Sequence, residues 1–235
     1  MDDTQATSED SLFRQGGRIH KWTTLKRLQK KGPESKRLMT NESEMIDITQ
    51  VKNLDVTASP SALGLIALGM ITLILSLMNA ALFGLNSMVL AVAIFSGLGS
   101  IVAGTMEWKK NNTFGTTVFI SFGLFYLTLV ALLILPKLGL ADATSSTALA
   151  VYFVMWGIFT LVMFIAALKA NRALQVVLGL LAVTFFLLAI DEVTGSATVT
   201  HVAGYVGIIT GFSAIYAGFA EVLNEVYNKT VAPLG

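Results

Sequence analysis

The chain has 235 residues, 54% of them hydrophobic and only 13% charged, where an ordinary soluble domain is about a quarter charged. Ten of the sixteen Lys and Arg and nine of the fifteen Asp and Glu fall within residues 1–59, so the net charge of +1 averages two unlike regions. With no cysteine in the chain, disulfide and thiolate chemistry are excluded, and the composition describes a polytopic membrane protein with a polar N-terminal tail.

Residues 1–56 read as a polar, disordered cytoplasmic tail and 57–235 as the membrane domain. Residues 1–20 hold no apolar core long enough for a signal peptide. Ile19, Trp22, Leu25 and Leu28 recur every three residues among Arg18, Lys21, Lys26, Arg27, Lys30 and Lys31. That pattern, near 18–31, suits a short basic amphipathic helix on an anionic leaflet, with an unstructured, solvated tail as the equal alternative. The rest of the tail, rich in Ser, Thr and Glu, is expected to be disordered.

Six apolar runs follow, each near the ~20 residues needed to cross ~30 Å of hydrocarbon. They are placed at about 60–84, 87–106, 114–135, 147–168, 173–190 and 198–222. The runs are continuously apolar rather than alternating, which selects helices over a barrel. The expected fold is an all-α membrane protein, a six-transmembrane-helix bundle. Lys109, Lys110, Lys169, Arg172 and Lys229 fall on one side and only Lys137 on the other, so the positive-inside rule puts both termini in the cytoplasm. Asp142, Asp191 and Glu192 are expected in outer loops.

The first span opens with Ser59, Pro60 and Ser61. Either hydroxyl is placed to cap the helix, and Pro60 suits its first turn. The second and sixth spans are rich in small residues. Gly207, Gly211, Ala214 and Gly218 share one face, a smooth strip that lets another backbone approach or that borders a narrow conduit. Ionisable groups are scarce: His201 lies near an outer end, Glu107, Glu221 and Glu225 near inner ends, and no Lys or Arg sits at mid-membrane. That argues against an ion pump or voltage sensor. Two histidines, His20 and His201, with no HExxH spacing argue against a metalloenzyme. Uncharged donors within the spans, among them Thr72, Asn79, Tyr126 and Thr210, suit a small, weakly polar solute.

The blocks "SPSALGL" (59–65), "LNSMVLA" (85–91), "AGTMEWKKNNTFGTT" (103–117), "LPKLGL" (135–140) and "AEVLNEVYNKTVAPLG" (220–235) resemble, in order, those of the acetate uptake transporter family. This family is also known as the GPR/FUN/YaaH or succinate-acetate permease family. Its first motif reads Asn-Pro-Ala-Pro-Leu-Gly-Leu. Here Pro60, Leu63, Gly64 and Leu65 are retained, while Ser59 and Ala62 replace the Asn and the second Pro. The resemblance implies a six-helix, multi-pass protein of the cell membrane, assembled as a homo-hexamer in which each subunit has its own path for acetate and similar short monocarboxylates, coupled to protons. It also implies a constriction at Leu68, Phe122 and Leu181, and a small path-side position at Ala214. Of the three constriction positions, only the leucine at 181 keeps the family's residue, and Ala214 matches the small position. An apolar constriction is expected to remain, wider at Leu68 and with one donor fewer at Phe122.

Helical steps from these positions gather further groups. From Leu68 they reach Thr72, Leu75 and Asn79, and from Phe122 they reach Tyr126. A charged carboxylate is expensive to move through a dry neck and tends to neutralise instead, so passage of the acid, or of anion and proton together, is expected. Thr72, Asn79 and Tyr126 would offer hydrogen bonds. Glu221 or Glu225 would relay the proton, unless Glu107, Glu221 and Glu225 instead pair with Lys109, Lys110, Lys169 or Arg172. The expected partners are acetate or a related small carboxylate, the proton and membrane lipid. No enzyme activity, cofactor, metal or nucleic-acid partner is expected. Rival readings are an anion-channel-like acetate or succinate pathway, an ammonia or ammonium conduit, and a non-transporting scaffold that uses the tail.

Overall fold

The computed structural model describes residues 58–235; the polar tail and its basic segment near 18–31 lie outside the described residues. Six helices follow one another: α1 (Pro60–Asn79), α2 (Ser87–Lys109), α3 (Thr113–Ile134), α4 (Ser146–Ala167), α5 (Arg172–Thr194) and α6 (Ala197–Val226). All six are long and apolar enough to cross a membrane, and no strand occurs among the described residues. The protein is an all-α, multi-pass membrane protein.

Short polar residues start most of these helices by accepting bonds from otherwise unpaired backbone N–H groups. The Asn86 side chain accepts from the N–H of Met88 and Val89, Asn112 from Gly115, Ser145 from Ala148, and Asn171 from Leu174. α1 is different. Pro60 does occupy its first turn, but neither serine hydroxyl caps it: Ser59 stands at the N-cap without a side-chain bond to the helix backbone. Both hydroxyls are turned instead toward α6.

Three helix ends depart from the sequence reading. α1 stops at Asn79 rather than near 84, because Ala81 adopts a left-handed conformation (φ 62°) and the Leu82 N–H folds back to Leu77 O at 3.1 Å, a Schellman-type stop. α5 runs one turn beyond 190 and ends at left-handed Gly195 (φ 58°). Asp191 and Glu192 therefore ride the last helical turn and not a loop. α6 continues through Glu225 to Val226.

The helices form a ring in which α1 packs on α2 and α6, α2 on α3, α4 on α5, and α5 on α6. The tightest seam joins α1 and α6. A Cβ on Gly211 would meet the backbone N of Leu73 at 2.7 Å, and one on Gly69 would meet the backbone N of Ile215 at 2.7 Å. A Cβ on Gly218 would lie 2.9 Å from the carbonyl O of Ala62, and one on Gly207 would collide with the Ser76 hydroxyl. The small-residue strip of α6 is thus a packing surface, as close helix approach in a bilayer requires. The α3–α4 seam is the opposite case: their backbones scarcely approach, and rings fill the gap. Phe125 packs on Trp156 at 4.9 Å and on Tyr152 at 5.7 Å, and Phe122 on Phe159 at 5.6 Å.

Gly211→Ala forces a methyl against immobile backbone and is expected to destabilise the bundle by about 1–3 kcal/mol. Gly99→Ala, whose Cβ would meet only the Ala67 Cβ at 3.5 Å, is expected to be neutral or to stabilise by up to about 1 kcal/mol through helix propensity. Thermal unfolding in detergent, read by size exclusion, compares the two. Equal effects would contradict the close-approach reading.

Candidate functional site

With six helices, Ser59 and Val226 lie at the same end of the bundle, the near end. From the far end a cavity of about 420 Å³ runs inward. Its rim carries Asn79, Lys137, Thr144, Asp191 and Glu192, and its floor Thr72, Tyr126, Leu181 and Phe185. Leu181 is ten residues from Asp191 on one helix, so the cavity is about 15 Å deep.

Thr72, Asn79 and Tyr126, singled out in the sequence, all line this cavity, together with Leu181. The Thr72 and Tyr126 hydroxyls are 3.3 Å apart at its floor. The Asn79 amide has no hydrogen-bond partner among the described residues. Ser76 and Thr184 also line the cavity. They follow from the same periodicity that finds the others, one turn beyond Thr72 and three residues after Leu181. Thr184 lies 3.4 Å from the Thr210 hydroxyl of α6.

Leu68 and Phe122 do not reach the cavity. Each sits four residues nearer the near end than Thr72 or Tyr126, about 6 Å deeper, and is 1% and 0% exposed. With Leu181 and Ala214 they belong to one closed apolar cluster. Phe122 is fixed there by a parallel ring of Phe185 at 6.3 Å and by Trp156 at 6.0 Å. The bundle is therefore open from the far end down to Thr72 and Tyr126, and shut below them. Beside this neck, Ser96 and Ser100 of α2 flank Gly99, which packs on Ala67. Both hydroxyls are fully buried and have no hydrogen-bond partner. A buried hydroxyl left unpaired costs about 1–3 kcal/mol.

The near end gathers carboxylates. Ser59 Oγ donates to Glu221 Oε2 at 3.1 Å, Ser61 Oγ donates to the same oxygen, and Ser59 N–H donates to Glu225 Oε2 at 3.2 Å. Glu107, 3% exposed, accepts from Asn112 Nδ2 at 2.7 Å. Gly115 makes room for that pair: a Cβ there would stand 2.8 Å from Asn112 Nδ2. Among the opening-motif residues, Leu65 is core and Gly64 accommodates the Phe119 ring, whereas Leu63 is partly exposed on the outer surface.

A six-helix membrane bundle with a one-sided polar cavity, a shut apolar neck and carboxylates beyond it has the architecture of a small-solute transporter or channel. Residues 46–233 match the GPR1/FUN34/yaaH family, and the chain belongs to that family. It is 50% identical over 179 residues to the succinate-acetate/proton symporter SatP of Escherichia coli K12, covering 76% of this chain and 95% of that one. It is 33% identical over 174 residues to the acetate transporter protein patA of Aspergillus clavatus, covering 67% and 70%. A solved structure described as the bacterial acetate channel SatP superimposes with a TM-score of 0.75 at 50% identity, covering 76% of this chain and 99% of that one.

The serine–carboxylate contacts should be energetically coupled. A double-mutant cycle of Ser61→Ala and Glu221→Gln, read by thermal unfolding, is expected to show a coupling of about 1 kcal/mol or more. Strict additivity would mean that the hydroxyls do not hold the carboxylate.

Proposed function

We propose that this chain carries acetate and similar short monocarboxylates across the cell membrane together with protons, with both termini in the cytoplasm. The observation that carries this reading is the cavity floor: two facing hydroxyls, Thr72 and Tyr126, stand directly above a dry neck of Leu68, Phe122 and Leu181. The names borne by its relatives, a succinate-acetate/proton symporter and an acetate transporter, agree with it.

A carboxylate that reaches the floor meets hydroxyl donors but no buried cation, since the described residues include no buried Lys or Arg. Removing an unpaired ion from water into such a neck costs several kcal/mol or more. Protonation removes most of that barrier. The resulting acid is a small, weakly polar molecule, and it can satisfy the stranded hydroxyls of Ser96 and Ser100 as it passes. At the near end Glu221, with Glu225 and Glu107 close by, would accept the proton and return it to water. Asn79 at the rim and the Ser59–Ser61 pair at the near end order the two mouths. Residues 57–235 act as the transporter domain, and the functional unit is a homo-hexamer in which the outer apolar faces of α2 and α6 meet lipid or neighbouring copies. A second reading, anion passage through a channel, is favoured by the description of the solved relative as an acetate channel.

Purified protein in liposomes is expected to take up labelled acetate faster under an inward proton gradient. Ala214→Phe, which fills the neck, is expected to abolish that uptake while the protein still runs as the same assembly on size exclusion. Undiminished flux would remove Ala214 from the route. Methylammonium flux with indifference to carboxylates would replace the reading altogether.

A further inference from the structure

The far-end mouth of the cavity carries three charges. Lys137, just beyond α3, and Asp191 and Glu192, on the last turn of α5, all line it. Lys137 is the one basic side chain in that lining, and it forms no hydrogen bond or ion pair among the described residues. The two carboxylates are held in place by hydroxyls: Thr200 Oγ1 of α6 donates to Asp191 at 2.6 Å, and Ser146 at the start of α4 donates to Glu192. The other charged or titratable groups nearby are exposed, namely Asp142, next to the lining residues Ala143 and Thr144, and His201, next to Thr200.

The volume of the cavity does not distinguish the candidate acids: about 420 Å³ is ample for a carboxylic acid of two carbons or of four. Charge does distinguish them. Lys137 can meet one carboxylate, and once it has done so, a second carboxylate on the same solute faces Asp191 and Glu192 with no cation left to offset them. The Thr72–Tyr126 floor offers uncharged donors only. A dianion interacts with the fixed negative charges of the mouth twice as strongly as a monoanion does.

We propose that Lys137, Asp191 and Glu192 form a charge filter at the far-end mouth that favours monocarboxylates over dicarboxylates. The inference rests on the transport reading above and specifies its substrate class. The filter stands in contact with water, so its selectivity weakens as salt screens it.

The test is competition by succinate against labelled acetate uptake in liposomes at neutral pH. Asp191→Asn with Glu192→Gln keeps the shapes and removes the charges. In that variant the succinate concentration for half-inhibition is expected to fall roughly fivefold relative to wild type, with labelled succinate uptake rising against acetate. High salt is expected to shrink the difference. Lys137→Gln is expected to move the ratio the other way, and Asp191→Asn alone to give a smaller shift of the same sign. Acetate and succinate values that change together, or do not change, overturn the filter while acetate transport stands. Wild-type protein that carries neither acid overturns the transport reading and the filter with it.

Discussion

The close approach of the α1 and α6 backbones sets the rest of the bundle. Lipid gives no hydrophobic drive for two helices to meet, so contact depends on shape and on hydrogen bonds across the seam. Gly69 on one helix and Gly207, Gly211 and Gly218 on the other leave no room for even a methyl group. That seam brings the Ser59 and Ser61 hydroxyls within reach of Glu221 at the near end. It also places the Ser76 hydroxyl against Gly207 at mid-helix and leaves Asn79 at the rim of the cavity. The opposite seam, between α3 and α4, is spaced by aromatic rings. Phe122 and Phe125 pack there against Tyr152, Trp156 and Phe159. The cavity takes hydroxyls from Thr72 and Ser76 of α1, Tyr126 of α3 and Thr184 of α5, and rings from Phe125 of α3, Phe153 of α4 and Phe185 of α5.

The polar groups are distributed along the axis in a way that bears on charge. Charged groups stand at the far mouth and at the near end, hydroxyls at the cavity floor, and no charged side chain joins Leu68, Phe122 and Leu181 at the neck. An ion crossing such a profile meets its barrier where no group can answer its charge. In the proposed route a proton that travels with the carboxylate removes the charge at that point, and the near-end carboxylates would take it back. The unpaired hydroxyls of Ser96 and Ser100 lie on α2 on either side of Gly99, which faces Ala67, the neighbour of Leu68. Buried polar groups without partners are uncommon in folded proteins, and in the proposed route a solute with its own donor and acceptor would supply what they lack.

Much of this was legible in the sequence. Six apolar runs and the small-residue face of α6 each express a local rule, and the structure follows them. Helical steps from Leu68 reach Thr72 and Asn79, and a step from Phe122 reaches Tyr126, without any knowledge of the fold; the same stepping carried to Ser76 and Thr184 would have found those as well. Other features depend on contacts between distant segments. The hydroxyls of Ser59 and Ser61 look like helix caps until α6 brings Glu221 beside them, and a carboxylate is the stronger acceptor. Asp191 and Glu192 look like loop residues until the helix is seen to continue to Gly195, whose left-handed conformation sets the stop. The resemblance implies one donor fewer at Phe122, and only the structure reveals the stack of rings that holds it.

The central claim is that the neck passes the acid and not the anion. Liposomes containing the protein and a trapped pH indicator, with membrane potential set by potassium and valinomycin, test it directly. Acidification of the lumen in step with labelled acetate entry, one proton for each acetate and at a rate independent of voltage, is the expected result. Acetate entry that follows the voltage and leaves lumenal pH unchanged would contradict it.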